Sequence, residues 1–227
     1  MPAIKWLSPS IELNLNLKTN AYAFFQGEKV HKVIIAMHGF GDTGENFSAL
    51  VSQLDVPGIL WIFLDALFPI PQFFEDGRQW FPIFSEPYSE FEQSQLYVDS
   101  VIDSISQNLR LENKNIGLLG FSQGASLALQ VTLRRASSLW LAISLSGFLL
   151  NTRALYENKD ALNSHTPVFL AHGQNDNVVF PLSFFEAKNF LNFIGCTFES
   201  HIYPIEHSLS PEEFRDIKDF LKNKMHL

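Results

Sequence analysis

The chain has 227 residues, 46% hydrophobic and 18% charged, which fits one globular domain with a sizeable core and excludes a disordered chain. Its formal net charge of −8 argues against nucleic-acid binding and against electrostatic docking on anionic membranes. With one cysteine, Cys196 in the apolar run "NFIGCTF", no intrachain disulfide is available, and that residue reads as a small buried hydrophobe.

The N-terminus "MPAIKWLSPS" lacks the charged-then-apolar pattern of a signal peptide. The longest nearly apolar run, Leu139–Leu150, is too short and interrupted to span a bilayer, so a cytoplasmic location is expected. "IELNLNLK" (Ile11–Lys18) alternates apolar and polar residues and predicts a half-buried strand. After a turn at Thr19-Asn20, "AYAFFQ" (Ala21–Gln26) predicts a second strand, antiparallel to the first at a sheet edge. From Lys32 the pattern changes. "KVIIAM" (Lys32–Met37) is continuously apolar, as expected of a strand covered on both faces. The same type recurs at Ile59–Ala66, Asn115–Phe121, Leu139–Leu145 and Pro167–Gly173, and Thr197–Pro204 closes the series. Between these runs, apolar residues at three-to-four spacing predict helices over Gly44–Leu54, Gln95–Leu109, Ser122–Arg135, Pro181–Ile194 and Ser210–Lys224. The last opens with an N-cap serine, a proline and two glutamates.

Strand–helix alternation predicts a mostly parallel sheet of about eight strands, flanked by helices on both faces, with its site at the carboxyl ends of the strands. What stands at those ends is polar and glycine-rich: "HGFGDTG" from His38, "GFSQG" from Gly120, "HGQND" from His172 and "YPIEHS" from Tyr203. Gly120-Phe121-Ser122-Gln123-Gly124 fits G-x-S-x-G, in which glycines let a strand turn sharply into a helix and lift the serine hydroxyl above the sheet. The bland reading is a tight turn. A serine needs a base to take its proton, and His207, on a rim loop after the last strand, is the expected one. His38 and His172 read instead as loop-shaping residues, and His31, His165, His201 and His226 have no motif context. Asp176 is the expected acid that orients the base, with an Asx-turn role as the alternative and Asp65 as the fallback acid. Backbone N–H groups of Gln123 and Phe40 are the expected oxyanion donors, the Phe40 ring walling an acyl pocket.

Phenylalanine is abundant, with 22 residues, and many fall where no period explains them. The segment Leu67–Phe91 holds four prolines and many aromatics, and it reads as a lid or acyl-binding wall over Ser122 or as an ordered loop packed on the core. Trp80 and Phe81 are the candidate wall residues. Exposed aromatics there are also a candidate homodimer contact and would permit at most transient membrane contact.

These motifs together resemble the acyl-protein thioesterases and small carboxylesterases, the phospholipase/carboxylesterase family of α/β-hydrolases, over nearly the whole length. The resemblance rests on "HGFGDTG", Trp80-Phe81, "GFSQGA", "LSG" at Leu145–Gly147, "HGQND" and His207-Ser208. It implies an α/β-hydrolase fold in a single domain, 1–227, and a triad of Ser122, Asp176 and His207. It implies Phe40 and Gln123 as oxyanion donors, and hydrolysis of acyl esters and thioesters with no cofactor or metal. Candidate substrates are small acyl esters, lysolipids and acylated proteins. A non-catalytic binding module on the same fold is the competing reading. The chain departs from the family's pattern at Phe40, at Glu206 beside the expected base, and at Phe180 before Pro181, which bears on substrate binding.

Overall fold

The computed structural model describes residues 2–8, 10–54, 56–70, 72, 75–83 and 88–225. Eight strands form one sheet: β1 (Ile4–Trp6), β2 (Ala21–Phe25), β3 (Lys32–Met37), β4 (Ile59–Leu64), β7 (Ile116–Phe121), β8 (Ala142–Leu145), β9 (Val168–Gly173) and β10 (Phe198–Tyr203). Their spatial order is β1-β2-β4-β3-β7-β8-β9-β10, and β2–β4 is the antiparallel pairing in an otherwise parallel ladder. Between them lie α1 (Gly44–Phe47), α2 (Val51–Leu54), α3 (Tyr88–Leu109), α4 (Gln123–Arg134), α5 (Thr152–Glu157), α6 (Leu182–Phe193) and α7 (Pro211–Met225). A short ribbon, β5 (Phe68–Pro69) with β6 (Arg78–Gln79), stands apart from the sheet.

The continuously apolar strands are apolar because both faces are covered. On β3, Val33, Ile35 and Met37 enter a core with α3 and α4, while Ile34 and Ala36 enter the opposite core with α1, α2 and α7. A third cluster joins α6 to β8 and β9 through Ala142, Val168, Leu170, Phe184 and Phe190. Each fully buried large side chain of this kind contributes about 1.5–3 kcal/mol by removal from water. Helix α4 is sequestered so completely that every residue from Gln123 to Leu133 is buried.

Two expectations need correction. The segment at 11–18 alternates in burial as its sequence alternates, but it pairs with no strand and lies extended along α3. The N–H groups of Asn14 and Asn16 donate to Asn108 Oδ1 and Ser104 Oγ of that helix, at 3.1 Å each. Side-chain acceptors thus take the place of a ladder, and the edge strand is instead Ile4–Trp6, parallel to β2. The helix expected over 44–54 is interrupted by a 3₁₀ turn at Ser48–Leu50. Helix α3 also begins earlier than its period suggests, at Tyr88, and takes in the end of the 67–91 segment.

The start of α7 is a capping box. Ser210 N donates to Glu213 Oε2 at 3.4 Å, and Glu213 N donates to Ser210 Oγ at 3.1 Å. Burial pushes the Glu213 carboxyl up to about 8, with Asp216 adding to the rise. Below the ordinary carboxylate range both folded and unfolded chains hold that proton; between about 4.5 and about 8 only the folded chain does. Stability should therefore fall as pH rises through that window. Glu213→Gln keeps the capping geometry without a titrating proton, and its urea midpoint should depend less on pH over the same range than the wild type's.

Candidate active site

Because β3, β7, β8, β9 and β10 are parallel, their carboxyl ends share one edge of the sheet, and the four polar loops meet there. At the end of β7 the chain turns into α4 through Ser122, whose φ of 55° and ψ of −118° lie in a region that L-residues rarely adopt. The flanking glycines are required by close approach. A methyl at Gly120 would collide with the Gly124 carbonyl, and one at Gly124 with the carbonyls of Met37 and His38. Ser122 N is fixed by the Leu145 carbonyl of β8 at 2.8 Å. The serine side chain stands at the amino end of α4, next to the positive end of the helix dipole.

The loops after β9 and β10 are packed as one unit. Gln174 N donates to Tyr203 O at 2.7 Å and Asn175 N to Ile205 O at 2.9 Å, with Gly173 seated against the main chain of Ile205 and Glu206. His207 Nδ1 lies 2.6 Å from Asp176 Oδ2, and His207 Nε2 lies 3.0 Å from Ser122 Oγ. The first contact sets the tautomer: with Nδ1–H donating to the carboxylate, Nε2 is left to accept from the serine hydroxyl. Asp176 also makes the Asx turn that its sequence suggests. Its Oδ1 accepts from the N–H groups of Val178 at 2.9 Å and Val179 at 2.8 Å. The turn and the histidine contact use different oxygens of one buried carboxylate.

The other candidates have structural partners. His172 Nε2 donates to Val179 O at 2.8 Å, and burial lowers its pKa, so this ring sits neutral 3.4 Å from Asp176 Oδ2. His38 donates from Nδ1 to Gly39 O at 2.7 Å and accepts the Ala66 N–H on Nε2 at 3.1 Å; burial lowers its pKa too. Asp65 accepts the Gly44 N–H at 2.8 Å at the start of α1. The Glu206 side chain is exposed to solvent.

A cavity of about 400 Å³ opens above Ser122, a volume suited to a small organic group. Gly39, Phe40, Phe121, Ser122, Gln123 and His207 line it, together with Ile83, Phe148, Val178 and Val179, which sequence reasoning missed. Nothing in the residue order signals that last group. The Asx turn at Asp176 presents the valines, and Ser126 Oγ of α4 holds the backbone of Phe148 at 3.0 Å.

The aromatic wall expectation is corrected. Trp80 and Phe81 are fully buried and absent from the cavity lining; they sit behind it as a strut. The Trp80 N–H donates to Gln123 Oε1 at 2.9 Å, and Gln123 Nε2 donates to Phe81 O at 2.7 Å. The Trp80 indole N–H donates to His38 O at 2.9 Å, and Ser94 Oγ donates to Trp80 O at 2.5 Å. Gly41 N and Arg78 N bond across to Arg78 O and Asp42 O at 2.9 and 3.2 Å. One segment thereby pins both the loop after β3 and the first residue of α4. Within 67–91, residues 71, 73, 74 and 84–87 lie outside the described residues, and what the described part contributes to the cavity is Ile83. Phe180 is also outside the lining. It is 68% exposed and lies beyond the mouth, whose rim is formed by exposed Val178 and half-buried Val179.

Gln123→Ala would leave a buried N–H and a buried carbonyl unpaired, each costing about 1–3 kcal/mol. Thermal denaturation should show that loss.

Comparison with known proteins agrees with this architecture. The family model described as phospholipase/carboxylesterase matches residues 21–225. The chain is 28% identical to acyl-protein thioesterase 1 of Saccharomyces cerevisiae over 220 residues, covering 87% of this chain and 95% of that protein. It is 27% identical to carboxylesterase SOBER1 of Arabidopsis thaliana over 208 residues, covering 85% and 90%. Among solved structures, esterase PE8 superposes with a TM-score of 0.78 at 24% identity, covering 86% of this chain and 93% of that one. Arabidopsis SOBER1 gives 0.74 at 24% identity, covering 86% and 99%. Those two likenesses establish the shared α/β-hydrolase fold, and with the family match across nearly the whole chain, the protein belongs to the phospholipase/carboxylesterase family.

Proposed function

We propose that the chain hydrolyses acyl esters and thioesters through Ser122, His207 and Asp176, with a covalent acyl-enzyme intermediate. The ester and thioester hydrolase class is that of its family. The observation that carries the residue roles is the continuous relay Ser122 Oγ–His207 Nε2–His207 Nδ1–Asp176 Oδ2, at 3.0 and 2.6 Å, on the floor of an apolar cavity.

In this reading Ser122 Oγ attacks the acyl carbonyl carbon while its proton passes to His207 Nε2. Asp176 holds the ring in the required tautomer and stabilises the imidazolium. The charge developing on the carbonyl oxygen is met by backbone N–H groups of Gln123 and Phe40, both residues of the cavity lining, and by the amino end of α4. His207 then returns the proton to the departing alcohol or thiol. Water, deprotonated by the same nitrogen, attacks the acyl-enzyme, releasing the carboxylic acid and restoring Ser122. Ile83, Phe121, Phe148, Val178 and Val179 surround this centre, so the favoured substrate carries an apolar acyl group, as an acylated protein or small acyl ester does. A lysolipid presents the same acyl chemistry and is the alternative substrate.

Ser122→Ala should lower turnover of a soluble aryl ester by at least about 10⁴-fold, and Asp176→Asn by about 10³–10⁴-fold. Both should keep the wild-type melting profile. Wild-type protein should be labelled at Ser122 by a fluorophosphonate; a folded chain that resists labelling would favour a non-catalytic binding module. Measured against acyl length, turnover should rise from acetyl to mid-length chains. A collapse beyond butyryl would remove the acyl-cavity assignment.

A further inference from the structure

The loop after Asp176 and helix α6 carry apolar side chains on the side away from the core. Val178, Phe180 and Leu182 are exposed at 65%, 68% and 67%, and Phe185 and Phe193 at 49% and 54%. At 100° per residue, Leu182, Phe185, Asn189 and Phe193 fall on one face of α6, opposite the buried Phe184, Ala187 and Leu191. Helix α6 is therefore apolar on two faces, of which the core covers one. Tyr156, 43% exposed on α5, extends the outer face through its ring contact with Phe193 at 5.1 Å. The stripe starts at the cavity: Val178 is both a lining residue and one of the most exposed apolar residues of the molecule.

We infer that this stripe is a docking surface for a neutral, zwitterionic lipid–water interface, which would hold the mouth of the cavity against the lipid. Three observations select that occupant. First, the segment that carries the stripe has no net charge outside the core, on a body of net charge −8: from Asn175 to Cys196 the ionisable side chains outside the core are Glu186, at the edge of the stripe, and Lys188, on the flank of α6 beside Phe184. Beside it, Arg153 and Glu157 of α5 neutralise each other at 2.7 Å. A neutral face on an acidic body suits a neutral surface and is repelled by an anionic one. Second, the helical face that forms most of the stripe is small. A helix of this length is about 18 Å long and presents a face of roughly 200 Å², whereas a stable dimer buries about 800 Å² per partner. Third, its end is continuous with the cavity, so an acyl chain passes from lipid to Ser122 without crossing water. That third argument rests on the function proposed above; docking itself does not require catalysis.

The test is cosedimentation of the full chain with vesicles of pure phosphatidylcholine and of phosphatidylcholine mixed with phosphatidylserine. The wild type should pellet with neutral vesicles, keep that binding at high salt, and bind the anionic vesicles less well. The triple variant Phe180→Asp, Leu182→Asp, Phe185→Asp should lose at least about tenfold in partitioning, with turnover of a soluble short-chain ester within about twofold of wild type. Should that variant fail to fold, Phe180→Ser with Phe185→Ser replaces it, with a smaller loss in the same direction. Ser122→Ala should bind vesicles as the wild type does, which separates failure of docking from failure of the catalytic reading. Absence of wild-type binding, binding confined to anionic vesicles, or undiminished binding by the variants would overturn the inference. So would a dimer in analytical ultracentrifugation that the same substitutions dissolve without any vesicle binding, which would assign the stripe to a second copy of the chain.

Discussion

The arrangement depends on how closely helix α4 lies on the sheet. Its first turn touches the main chain of β3 at Met37 and His38 so tightly that Gly124 has no room for a methyl group, and Gly120 is confined in turn by Gly124. That contact fixes the height of α4 above β3 and β7 and leaves the connecting residue little conformational choice. Ser122 accordingly sits at positive φ, held by its bond to Leu145 and by the buried helix behind it. A strained residue persists only where its surroundings over-determine it, and the surroundings here are two strands and a helix buried from Gln123 to Leu133. The cavity, the histidine contact and the helix end are all placed relative to that one serine.

The opposite wall is built differently. Asp176 and His207 belong to loops whose bonds are mostly main chain to main chain, drawn together across Gly173. A carboxylate with one oxygen in an Asx turn and the other on a histidine makes the loop's own conformation part of the relay. The same turn brings Val178 and Val179 to the rim of the cavity, with exposed Phe180 next in the chain.

Much of this was legible in the residues. Runs such as Lys32–Met37 admit little besides a strand covered on both faces, and parallel strands force their carboxyl ends together, so the loops bearing Ser122, Asp176 and His207 had to be neighbours. What escaped depended on partners that no local pattern names. The alternation at 11–18 is a real burial pattern, but whether an extended segment meets a strand or a helix is decided elsewhere, here by Ser104 and Asn108. Ile4–Trp6 is too short to show a period. Trp80 and Phe81 looked like pocket residues because they are large and aromatic, whereas their position is set by the polar groups they offer to Gln123 and His38.

The Gln123 amide has a consequence for which positions of the two segments constrain one another. An oxyanion donor at that position needs only a backbone N–H, so the chemistry places no demand on the side chain. The demand comes from two main-chain groups 43 and 42 residues earlier in the chain, the Trp80 N–H and the Phe81 carbonyl, which the amide satisfies together. Because those partners are main-chain atoms, any residue at position 81 offers the carbonyl and any residue but proline at position 80 offers the N–H. The coupling through Gln123 therefore places its demand on the side chain at position 123 alone, and none on the side chains at positions 80 and 81.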